Sequence, residues 1–339
     1  MATQPAATGC SLEPALFGLD ARLATVVRAI AGAVASVADT LRTASVAEIG
    51  TSNALGDKQL VADVAADRCV FDALQECGAV ELASSEEQPA DVEMGGQGYS
   101  VAFDPLDGSS IIGANWAVGS IFGVWPGRGF VGRAAREQVA AAYAVYGPKT
   151  VLVVARPAAG GGSCTEGAAG SADGSGSGEA TEQQRAERRM VVQEFVLLPT
   201  GGWQLSRPDI RIPPSKKVFA PANLRAQADN AAYRDLVLHW MSERYTLRYS
   251  GGLVPDLHHI LAKGGGVFCN PTSASASAKL RCLYETFPLA LLTEAAGGAS
   301  HDGGGSVLDQ TLASHDQRGA LVIGSTEEVA KCLPAMRAS

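Results

Sequence analysis

The segment that most constrains this chain is Phe103–Ser110, which reads FDPLDGSS. It continues a short apolar run, Tyr99–Phe103, that predicts a buried strand. Asp104 and Asp107 lie three residues apart with Pro105 fixing the turn between them, so both carboxylates can point at one place. The segment therefore predicts an acidic site where this strand ends.

The same segment offers ligands for a cation and for an anion. The Leu106 carbonyl oxygen can join the two carboxylates around a hard cation. Gly108, Ser109 and Ser110 then supply consecutive backbone amides, an arrangement that binds anions. Such a sequence suits a phosphate group bridged by metal ions, although an ordinary Asp/Pro/Gly turn remains the alternative interpretation of these residues alone.

Three further acidic segments are candidates for the same site. Glu86 and Glu87 follow a second predicted strand, although adjacent glutamates are more often found in a solvated loop. Glu285 begins an apolar helix, where an acid is also favoured by the helix dipole. Asp63 and Asp67 are four residues apart and share a helix face. We expect Asp63 to be buried because it lies in an apolar stretch, and Asp67 to be solvated.

The hydrophobic pattern predicts an α/β protein. At 46% hydrophobic residues, the chain has enough apolar side chains to exclude a wholly disordered protein. The residues Ala140–Tyr146 fit either a strand or a helix. The predicted helices are 23–41, 56–76, 233–243 and 284–296, and the predicted strands are 79–83, 99–103, 118–125, 150–155, 191–198, 266–269 and 320–323.

We predict one compact catalytic unit in two halves. Residues 1–206 form a metal-binding half, and residues 207–339 form a second α/β half that contributes phosphate and sugar contacts. The first half contains a glycine-rich stretch at about 157–189, with eight glycines in 160–178. Because this stretch has little apolar surface to bury, we expect a disordered insertion at a hairpin tip.

Charge and targeting signals narrow the function class. The net charge of −8 argues against a nucleic acid or an anionic membrane as partner. We find no apolar run near the ~18–20 residues that a membrane-spanning helix needs, and no secretory leader. We therefore expect a cytoplasmic protein, with a plastid as the alternative. The seven cysteines include no CxxC pair, which argues against a disulfide framework or a structural zinc site.

Four motifs in order give the chain a family resemblance. They are Gly56–Gln59, Ser85–Glu87, Asp104–Ser110 and Lys279–Glu285. With them the chain resembles the fructose-1,6-/sedoheptulose-1,7-bisphosphatase family of lithium-sensitive, magnesium-dependent phosphatases, over nearly its whole length. The resemblance implies the sugar phosphatase fold, a layered αβαβα sandwich, and hydrolysis of a sugar bisphosphate by metal-activated water.

The resemblance also implies roles for individual residues. Two or three Mg²⁺ ions per subunit would be bound by Glu86, Glu87, Asp104, the Leu106 carbonyl, Asp107 and Glu285. Asp57, Asp63 and Glu87 match the acids that activate water. The substrate would be bound by Gly108, Ser109, Ser110, Asn223, Arg225, Arg248, Tyr249 and Lys279. In the family, the equivalent of Arg248 can come from a neighbouring subunit, which implies a homodimer or homotetramer.

The resemblance is closer to the sedoheptulose branch of the family. The segments Pro221–Arg225 and Tyr245–Gly252 carry this preference, and Asn270 stands where fructose enzymes have a tyrosine that contacts the distal phosphate. We therefore expect sedoheptulose 1,7-bisphosphate as substrate. A fructose-1,6-bisphosphatase or a dual-specificity enzyme is the alternative. An inositol-monophosphatase-like enzyme and a catalytically inactive family member are further alternatives.

We expect no redox switch of the plastid type. Light-activated relatives carry a cysteine pair soon after a Thr-Ala-Ser segment, and no cysteine follows Thr43–Ser45 at the matching place. A substitute pair formed by Cys69 and Cys77 is left open. We also find no match to the AMP site of fructose bisphosphatases, so inhibition by AMP is not expected.

Overall fold

The computed structural model describes residues 11–43, 48–52, 58–88, 90–158 and 189–337, with only the backbone of 48–52 and 58–59. Asp57 and most of the predicted insertion, residues 159–188, lie outside the described residues. The proposed disorder of that insertion therefore stays a prediction.

The described elements include both helices and strands. The helices are α1 (Leu12–Leu16), α2 (Ala21–Leu41), α3 (Val61–Glu76), α4 (Ser109–Ile112), α5 (Ala231–Ser242), α6 (Leu253–Lys263), α7 (Phe287–Ala295) and α8 (Thr326–Arg337). The strands are β1 (Glu48–Ser52), β2 (Lys58–Leu60), β3 (Val80–Ser85), β4 (Val92–Glu93), β5 (Tyr99–Asp107), β6 (Val118–Pro126), β7 (Ala140–Tyr146), β8 (Thr150–Pro157), β9 (Met190–Leu197), β10 (Trp203–Arg207), β11 (Val218–Pro221), β12 (Thr246–Leu247), β13 (Val267–Asn270), β14 (Leu280–Arg281), β15 (Ala299–His301), β16 (Arg318–Gly319) and β17 (Leu321–Gly324).

Eight strands form a large sheet in the order β10-β9-β8-β7-β6-β5-β3-β4. Adjacent strands within this sheet are antiparallel except for β3 and β5, which run parallel with Ser85 opposite Phe103. Because the carboxyl ends of parallel strands meet at one edge of a sheet, the residues that follow β3 and those at the end of β5 come together there. This edge brings the Glu86-Glu87 segment next to the Asp104–Asp107 segment.

Five strands form a second sheet in the order β12-β11-β13-β17-β15. The two sheets and the helices stack in layers. The helices α2 and α3 pack on the outer face of the large sheet, α6 and α7 lie between the two sheets, and α5 and α8 cover the far face of the second sheet. The order is αβαβα, which confirms the predicted fold class.

Alternating side chains in β6 build the two cores on the faces of the large sheet. Phe122 and Val124 belong to the core under α2 and α3, whereas Ile121 and Trp125 belong to the core between the sheets. This period of two is the pattern of a strand that is buried on both faces. The stretch Ala140–Tyr146, which fits a strand or a helix from sequence, is a fully buried strand of the same kind.

The helix α2 is the longest of the described helices and is largely apolar. Its N-cap, Asp20, accepts a hydrogen bond from the Leu23 amide, and one face of the helix is buried against the large sheet. By length and mean hydropathy, 1.5, it is the one helix among the described residues that could cross a membrane, but 61% of that stretch is buried within the protein. The apolar run itself, Ala29–Ala38, is bounded by Arg28 and Asp39, and the helix reaches this mean hydropathy only by spanning charged residues.

The structure corrects several predicted boundaries. The helix predicted over 56–76 begins only at Val61, because residues 58–60 pair with β1 as a strand and Asp63 accepts a hydrogen bond from the Leu60 amide. The hairpin of β8 and β9 agrees with the predicted strand pair. Helices α6 and α8 and strands β10 and β11 were not predicted. The division of the chain into halves at residue 206 stays a prediction.

Candidate active site

The end of β5 is held rigidly by backbone contacts. The Asp104 carboxylate accepts a hydrogen bond from the Leu106 amide at 2.9 Å, which closes the turn over Pro105. The Pro105 carbonyl oxygen accepts one from the Ser120 hydroxyl at 2.6 Å. Asp104 and Asp107 are both buried, and the turn fixes where their carboxylates point.

Asp107 is attached to the first turn of α6. Its two carboxylate oxygens accept hydrogen bonds from the amides of Leu253 (3.2 Å) and Val254 (2.6 Å), which have no partner within the helix. The helix can approach this closely only because residue 119 is glycine, since a Cβ there would lie 2.5 Å from the Val254 Cβ. A helix that the sequence analysis missed therefore orients one of the key acids.

Glu285 brings the third acid from the far end of the chain. It lies in a buried π-helical turn, Cys282–Thr286, just before α7, and accepts a hydrogen bond from the Arg281 amide. One carboxylate oxygen from each of Asp104, Asp107 and Glu285 lies within 4.8 Å of the others. Such separations allow the three side chains to share one ion or two neighbouring ions.

Burial and mutual repulsion make these three carboxyl groups unusually weak acids. Burial, followed by the charges of Asp107 and Glu285, raises the pKa of Asp104 well above its ordinary value. Burial raises the pKa of Asp107 to about 6 against the opposing effect of the two α6 amides. Burial also raises the pKa of Glu285 to about 7. A nearby cation would relieve this repulsion.

Asp63 and Glu87 extend the acidic cluster. The Asp63 Oδ2 accepts a hydrogen bond from the Leu60 amide at 2.8 Å, and its Oδ1 is buried without a hydrogen-bond partner among the described residues. Burial, and to a smaller extent the charge of Glu87, raises the pKa of Asp63 to about 7. The charge of Glu87 also raises the pKa of Asp104, so Glu87 lies within electrostatic range of both acids.

Glu86 differs from the other acids because it forms an ion pair. Its Oε1 accepts a hydrogen bond from the Arg281 guanidinium, and its Oε2 is buried without a hydrogen-bond partner in the described part of the chain. Arg281 is itself buried, and the sequence analysis did not select it. Its position within the Lys279–Glu285 motif, between a candidate phosphate ligand and a candidate metal ligand, was the signal that could have found it.

The residues fit a hard divalent cation. Six carboxylates lie at this edge together with one arginine, and two of their buried oxygens, Asp63 Oδ1 and Glu86 Oε2, accept no hydrogen bond in the described structure. Buried anionic oxygens without partners are costly unless a cation binds them. All of these candidate ligands are oxygen atoms, which Mg²⁺ and Ca²⁺ prefer and Zn²⁺ does not require.

A cavity of about 430 Å³ opens beside the acids. Most of the substrate-binding residues predicted from the sequence lie on its wall together with the metal-site acids, namely Asp107, Gly108, Ser109, Ser110, Asn223, Arg225, Tyr249, Lys279 and Glu285. Arg248 does not line it: its side chain is exposed and donates to the Leu247 carbonyl. The cavity therefore collects cationic and polar groups next to the acidic cluster.

Two polar residues of the cavity wall hold backbone in place. The Asn223 amide group donates to the carbonyl oxygens of Pro271 and Ala276, at 2.8 and 2.9 Å, so both of its hydrogens are already used. The Asp256 carboxylate, which the sequence analysis missed, accepts hydrogen bonds from the amides of Ser250 and Gly251. Both contacts shape the wall from which Tyr249 and Lys279 face the cavity.

The expected solvation of Asp67 was wrong. Only 4% of Asp67 is exposed, because α3 presses this side of the helix against the end of β3. Its carboxylate accepts hydrogen bonds from Ser85 and Gln88. The spacing of four residues from Asp63 correctly predicts a shared helix face, but it cannot indicate whether that face meets solvent or protein.

Two family models match the chain. The model described as "Fructose-1-6-bisphosphatase, N-terminal domain" matches residues 13–165, and the one described as "Fructose-1-6-bisphosphatase, C-terminal domain" matches residues 212–337. Together they cover every acid of the cluster, the second sheet, and the large sheet except β9 and β10.

Individual relatives fall in two groups. A chloroplastic sedoheptulose-1,7-bisphosphatase from Chlamydomonas reinhardtii is 43% identical over 312 residues, which cover 91% of this chain and 72% of that protein. A class 1 fructose-1,6-bisphosphatase from Geobacter sulfurreducens is 35% identical over 312 residues, covering 91% of this chain and 88% of that protein. A crystal structure from Toxoplasma gondii, provisionally named a sedoheptulose-1,7-bisphosphatase, has a TM-score of 0.82 at 36% identity and covers 98% of this chain and 99% of that one.

Proposed function

We propose that this chain, which belongs to the fructose-1,6-bisphosphatase family and is therefore a phosphoric monoester hydrolase, acts on sedoheptulose 1,7-bisphosphate. The reaction is hydrolysis of the 1-phosphate ester, which yields sedoheptulose 7-phosphate and phosphate. The observation that carries the proposal is the meeting of Asp104, Asp107 and Glu285 beside a cavity that Arg225 and Lys279 also line. Ligands for cations and donors for phosphate thus face the same space.

Family members depend on a metal ion, and we propose Mg²⁺, with two or three ions per subunit. The candidate ligands are oxygens only, and one of them, Glu86 Oε2, is buried without a hydrogen bond among the described residues, which supports a hard cation. When bound, the metal lowers the pKa of a coordinated water and offsets charge on the transferring phosphoryl group. The proposed ligands are Glu86, Glu87, Asp104, the Leu106 carbonyl oxygen, Asp107 and Glu285.

Asp63 is the proposed acceptor of the proton from the attacking water, with Glu87 as the alternative. The Leu60 amide fixes one oxygen of Asp63, and the other oxygen is buried and accepts no hydrogen bond in the described structure. A carboxylate held in this way is suited to orient a water molecule and to accept its proton. Asp57, the third acid implied by the family resemblance, lies outside the described residues.

The amides of Gly108, Ser109 and Ser110 are the proposed donors to the scissile phosphate. Gly108 has a φ of 88°, which side chains disfavour, and this conformation turns the chain sharply after Asp107. The next two residues begin α4, so their amides have no partner within that helix. Donors placed in this way stabilise charge on the phosphoryl oxygens during transfer.

The second phosphate and the sugar are proposed to contact Arg225, Tyr249 and Lys279 directly. Burial raises the pKa of Tyr249, so its hydroxyl stays protonated and can donate to a phosphate oxygen. Asn223 belongs to the same wall, and because both of its amide hydrogens are used, its part is to hold the loop before Lys279.

Arg248 supports a proposal about assembly. Its side chain is exposed and is absent from the cavity wall, although the family resemblance implies that it binds phosphate. We propose that it reaches the cavity of a neighbouring subunit in a homodimer or homotetramer, with a two-fold dimer as the simplest arrangement.

The alternative substrate is fructose 1,6-bisphosphate, alone or alongside the seven-carbon sugar. Asn270, buried on the cavity wall, favours the sedoheptulose choice over fructose-type recognition. A difference of one carbon is a weak discriminator, worth about 1–3 kcal/mol in a well-fitted pocket. The test is kcat/KM on both bisphosphates, with Mg²⁺ and without reductant. A higher value for sedoheptulose 1,7-bisphosphate is expected, and equal or inverted values would reject it.

Two further alternatives have separate tests. Phosphate release from monophosphates at a rate comparable to that from bisphosphates would favour an inositol-monophosphatase-like enzyme. An inactive family member would release no phosphate from either class of substrate.

Replacing Asp107 by alanine is expected to abolish turnover while the protein stays folded, and activity close to that of the unmodified protein would contradict its role.

The compartment is proposed to be the cytoplasm, with a plastid as the alternative. The word "chloroplastic" in the name of the Chlamydomonas reinhardtii relative supports the plastid alternative. Imaging of the full-length protein with a fluorescent tag at its C-terminus would separate the two.

A further inference from the structure

Asp67 is a buried acid that the proposed mechanism does not use. It lies one helical turn after Asp63 on α3, and 4% of it is exposed. Unlike Asp63, which has one oxygen without a hydrogen bond among the described residues, Asp67 uses both of its oxygens. Its two hydrogen-bond donors in the described part of the chain, Ser85 and Gln88, belong to one short turn, Ser85–Gln88.

The contacts of Asp67 are direct and short. The Ser85 hydroxyl donates to Asp67 Oδ1 at 2.5 Å, and the Gln88 side-chain amide nitrogen (Nε2) donates to Asp67 Oδ2 at 2.8 Å. The Ser85 oxygen in turn accepts a hydrogen bond from the Glu87 amide at 3.1 Å. The carboxylate therefore holds both ends of the turn that carries Glu86 and Glu87.

Other contacts form this turn but leave its side chains less constrained. The Glu86 amide donates to the Phe103 carbonyl at 3.1 Å, and the Gln88 amide donates to the Ser85 carbonyl at 3.3 Å. These two backbone bonds would survive the loss of Asp67. Arg281 also pairs with the Glu86 side chain, and the three bonds that run through Asp67 and Ser85 hold the turn from which both glutamate side chains extend.

We propose that Asp67 is a positioning residue that fixes the direction of Glu86 and Glu87 and thereby sets the affinity of the site for Mg²⁺. This inference rests on the proposed function, since it takes the two glutamates as metal ligands. Groups that orient metal ligands typically change metal affinity by about 10–100-fold when they are removed. The role differs from that proposed for Asp63, which is to accept the proton of the attacking water.

The test compares Asp67→Ala with Asp67→Asn. We expect Asp67→Ala to raise the Mg²⁺ concentration for half-maximal activity by about 10–100-fold, with kcat at saturating Mg²⁺ changed by no more than a few-fold. Asp67→Asn should keep most of the affinity. The asparagine side-chain oxygen can still accept a hydrogen bond from the Ser85 hydroxyl, and the Gln88 side-chain amide can flip so that its oxygen accepts one from the asparagine NH2 group. Asp72→Ala is the matched control, since Asp72 lies on the same helix, is exposed, and forms an ion pair with Arg68 of that helix.

A second measurement separates this inference from the proposed function. Titration calorimetry with Mg²⁺ alone reports affinity without substrate, so it remains informative even if sedoheptulose 1,7-bisphosphate is not the substrate. The same loss of Mg²⁺ affinity is expected for Ser85→Ala, and this variant replaces Asp67→Ala in the test if Asp67→Ala fails to fold. Unchanged Mg²⁺ affinity in Asp67→Ala or in Ser85→Ala would overturn the inference. So would equal losses in Asp67→Ala and Asp67→Asn, because the effect would then come from charge rather than from position.

Discussion

Asp107 shows how one side chain joins the acidic cluster to the fold. Burial disfavours its charged form, whereas two amides at the start of α6 favour it. The balance leaves a carboxyl group with a raised pKa of about 6 and a fixed direction. A cation bound beside it would favour the charged carboxylate further and so lower the pKa of Asp107.

At the residue scale, we expect Mg²⁺ to stabilise the protein more at about pH 8 than at about pH 5. Without metal, the pKa values of Asp63 and Glu285 are raised to about 7 and that of Asp107 to about 6, from ordinary values of 3.8 and 4.5. Carboxyl groups with raised pKa values bind more protons in the folded state than in the unfolded state. In the metal-free protein, their contribution to the free energy of unfolding is therefore fully present when the pH is below their ordinary pKa values. It is lost as the pH rises through their raised pKa values of about 6 to 7.

The measurement is the thermal midpoint with and without saturating Mg²⁺ across this pH range. Because Mg²⁺ competes with these protons, the increase in midpoint should grow with pH. An increase that is the same at all pH values, or that is larger in acid, would contradict the ionisation scheme.

At the scale of elements, the sequence predicted the parts of the site that are local in the chain. The strand β5 and its two aspartates follow from apolar residues, a proline-fixed turn and a glycine within the ten positions 99–108. The helix α6 was missed because Gly251 and Gly252 precede it and Pro255 lies in its first turn, which together look like a loop. Proline is tolerated in a first turn, where its missing amide costs no helical hydrogen bond.

The close packing of α6 on β6 gives an element-scale prediction. Gly119→Ala would place a Cβ 2.5 Å from the Val254 Cβ and 2.8 Å from the Ala144 carbonyl oxygen. We expect this overpacking to cost about 1–3 kcal/mol of unfolding free energy and to weaken Mg²⁺ binding, because displaced α6 amides no longer hold Asp107. Chemical unfolding and Mg²⁺ titration measure the two effects.

Gly32→Ala is the matched control for that substitution. Gly32 lies within α2, and a Cβ there would meet nothing within 4 Å. We expect a gain of about 0.5–1 kcal/mol from the better helix propensity of alanine, with Mg²⁺ affinity unchanged. A Gly119→Ala protein with unchanged stability and unchanged Mg²⁺ affinity would show that α6 does not orient Asp107.

At the scale of the whole molecule, the site joins segments that lie far apart in the chain. Asp104 and Glu285 are more than half of the chain apart in sequence. Ser84 on β3 and Tyr284 are hydrogen-bonded through their hydroxyl groups. Local periodicity carries no information about such contacts, so the layered fold was reached only through the family resemblance. The error over Asp67 has the same cause, because its burial depends on β3 and not on its neighbours in α3.

The proposed exchange of Arg248 between subunits predicts complementation. Arg248→Ala and Asp107→Ala should each lower kcat/KM severely when pure. In a mixed dimer, the subunit that keeps Asp107 receives a native Arg248 from its partner, so about a quarter of all sites become complete if subunits exchange freely in a two-fold dimer. Activity that rises on mixing would support the assembly, and a simple average of the two variants would contradict it.

Redox regulation gives a second prediction for the whole molecule. Cys69 lies in α3 and Cys77 at its C-terminal end, so eight residues of helix hold them about 12 Å apart. This exceeds the Cα separation of about 7 Å beyond which a disulfide cannot form. We expect dithiothreitol or reduced thioredoxin to change activity by no more than a few-fold, and stronger activation in a phosphate-release assay would overturn this.

The most direct test is a crystal structure of the protein with Mn²⁺ in place of Mg²⁺, because anomalous scattering locates that ion without reference to any assumed ligand. We expect at least one anomalous peak bonded to carboxylate oxygens of Asp104, Asp107 and Glu285, at the mouth of the cavity lined by Lys279. A fully occupied ion elsewhere, with none between these three side chains, would contradict the metal site on which the proposed function depends.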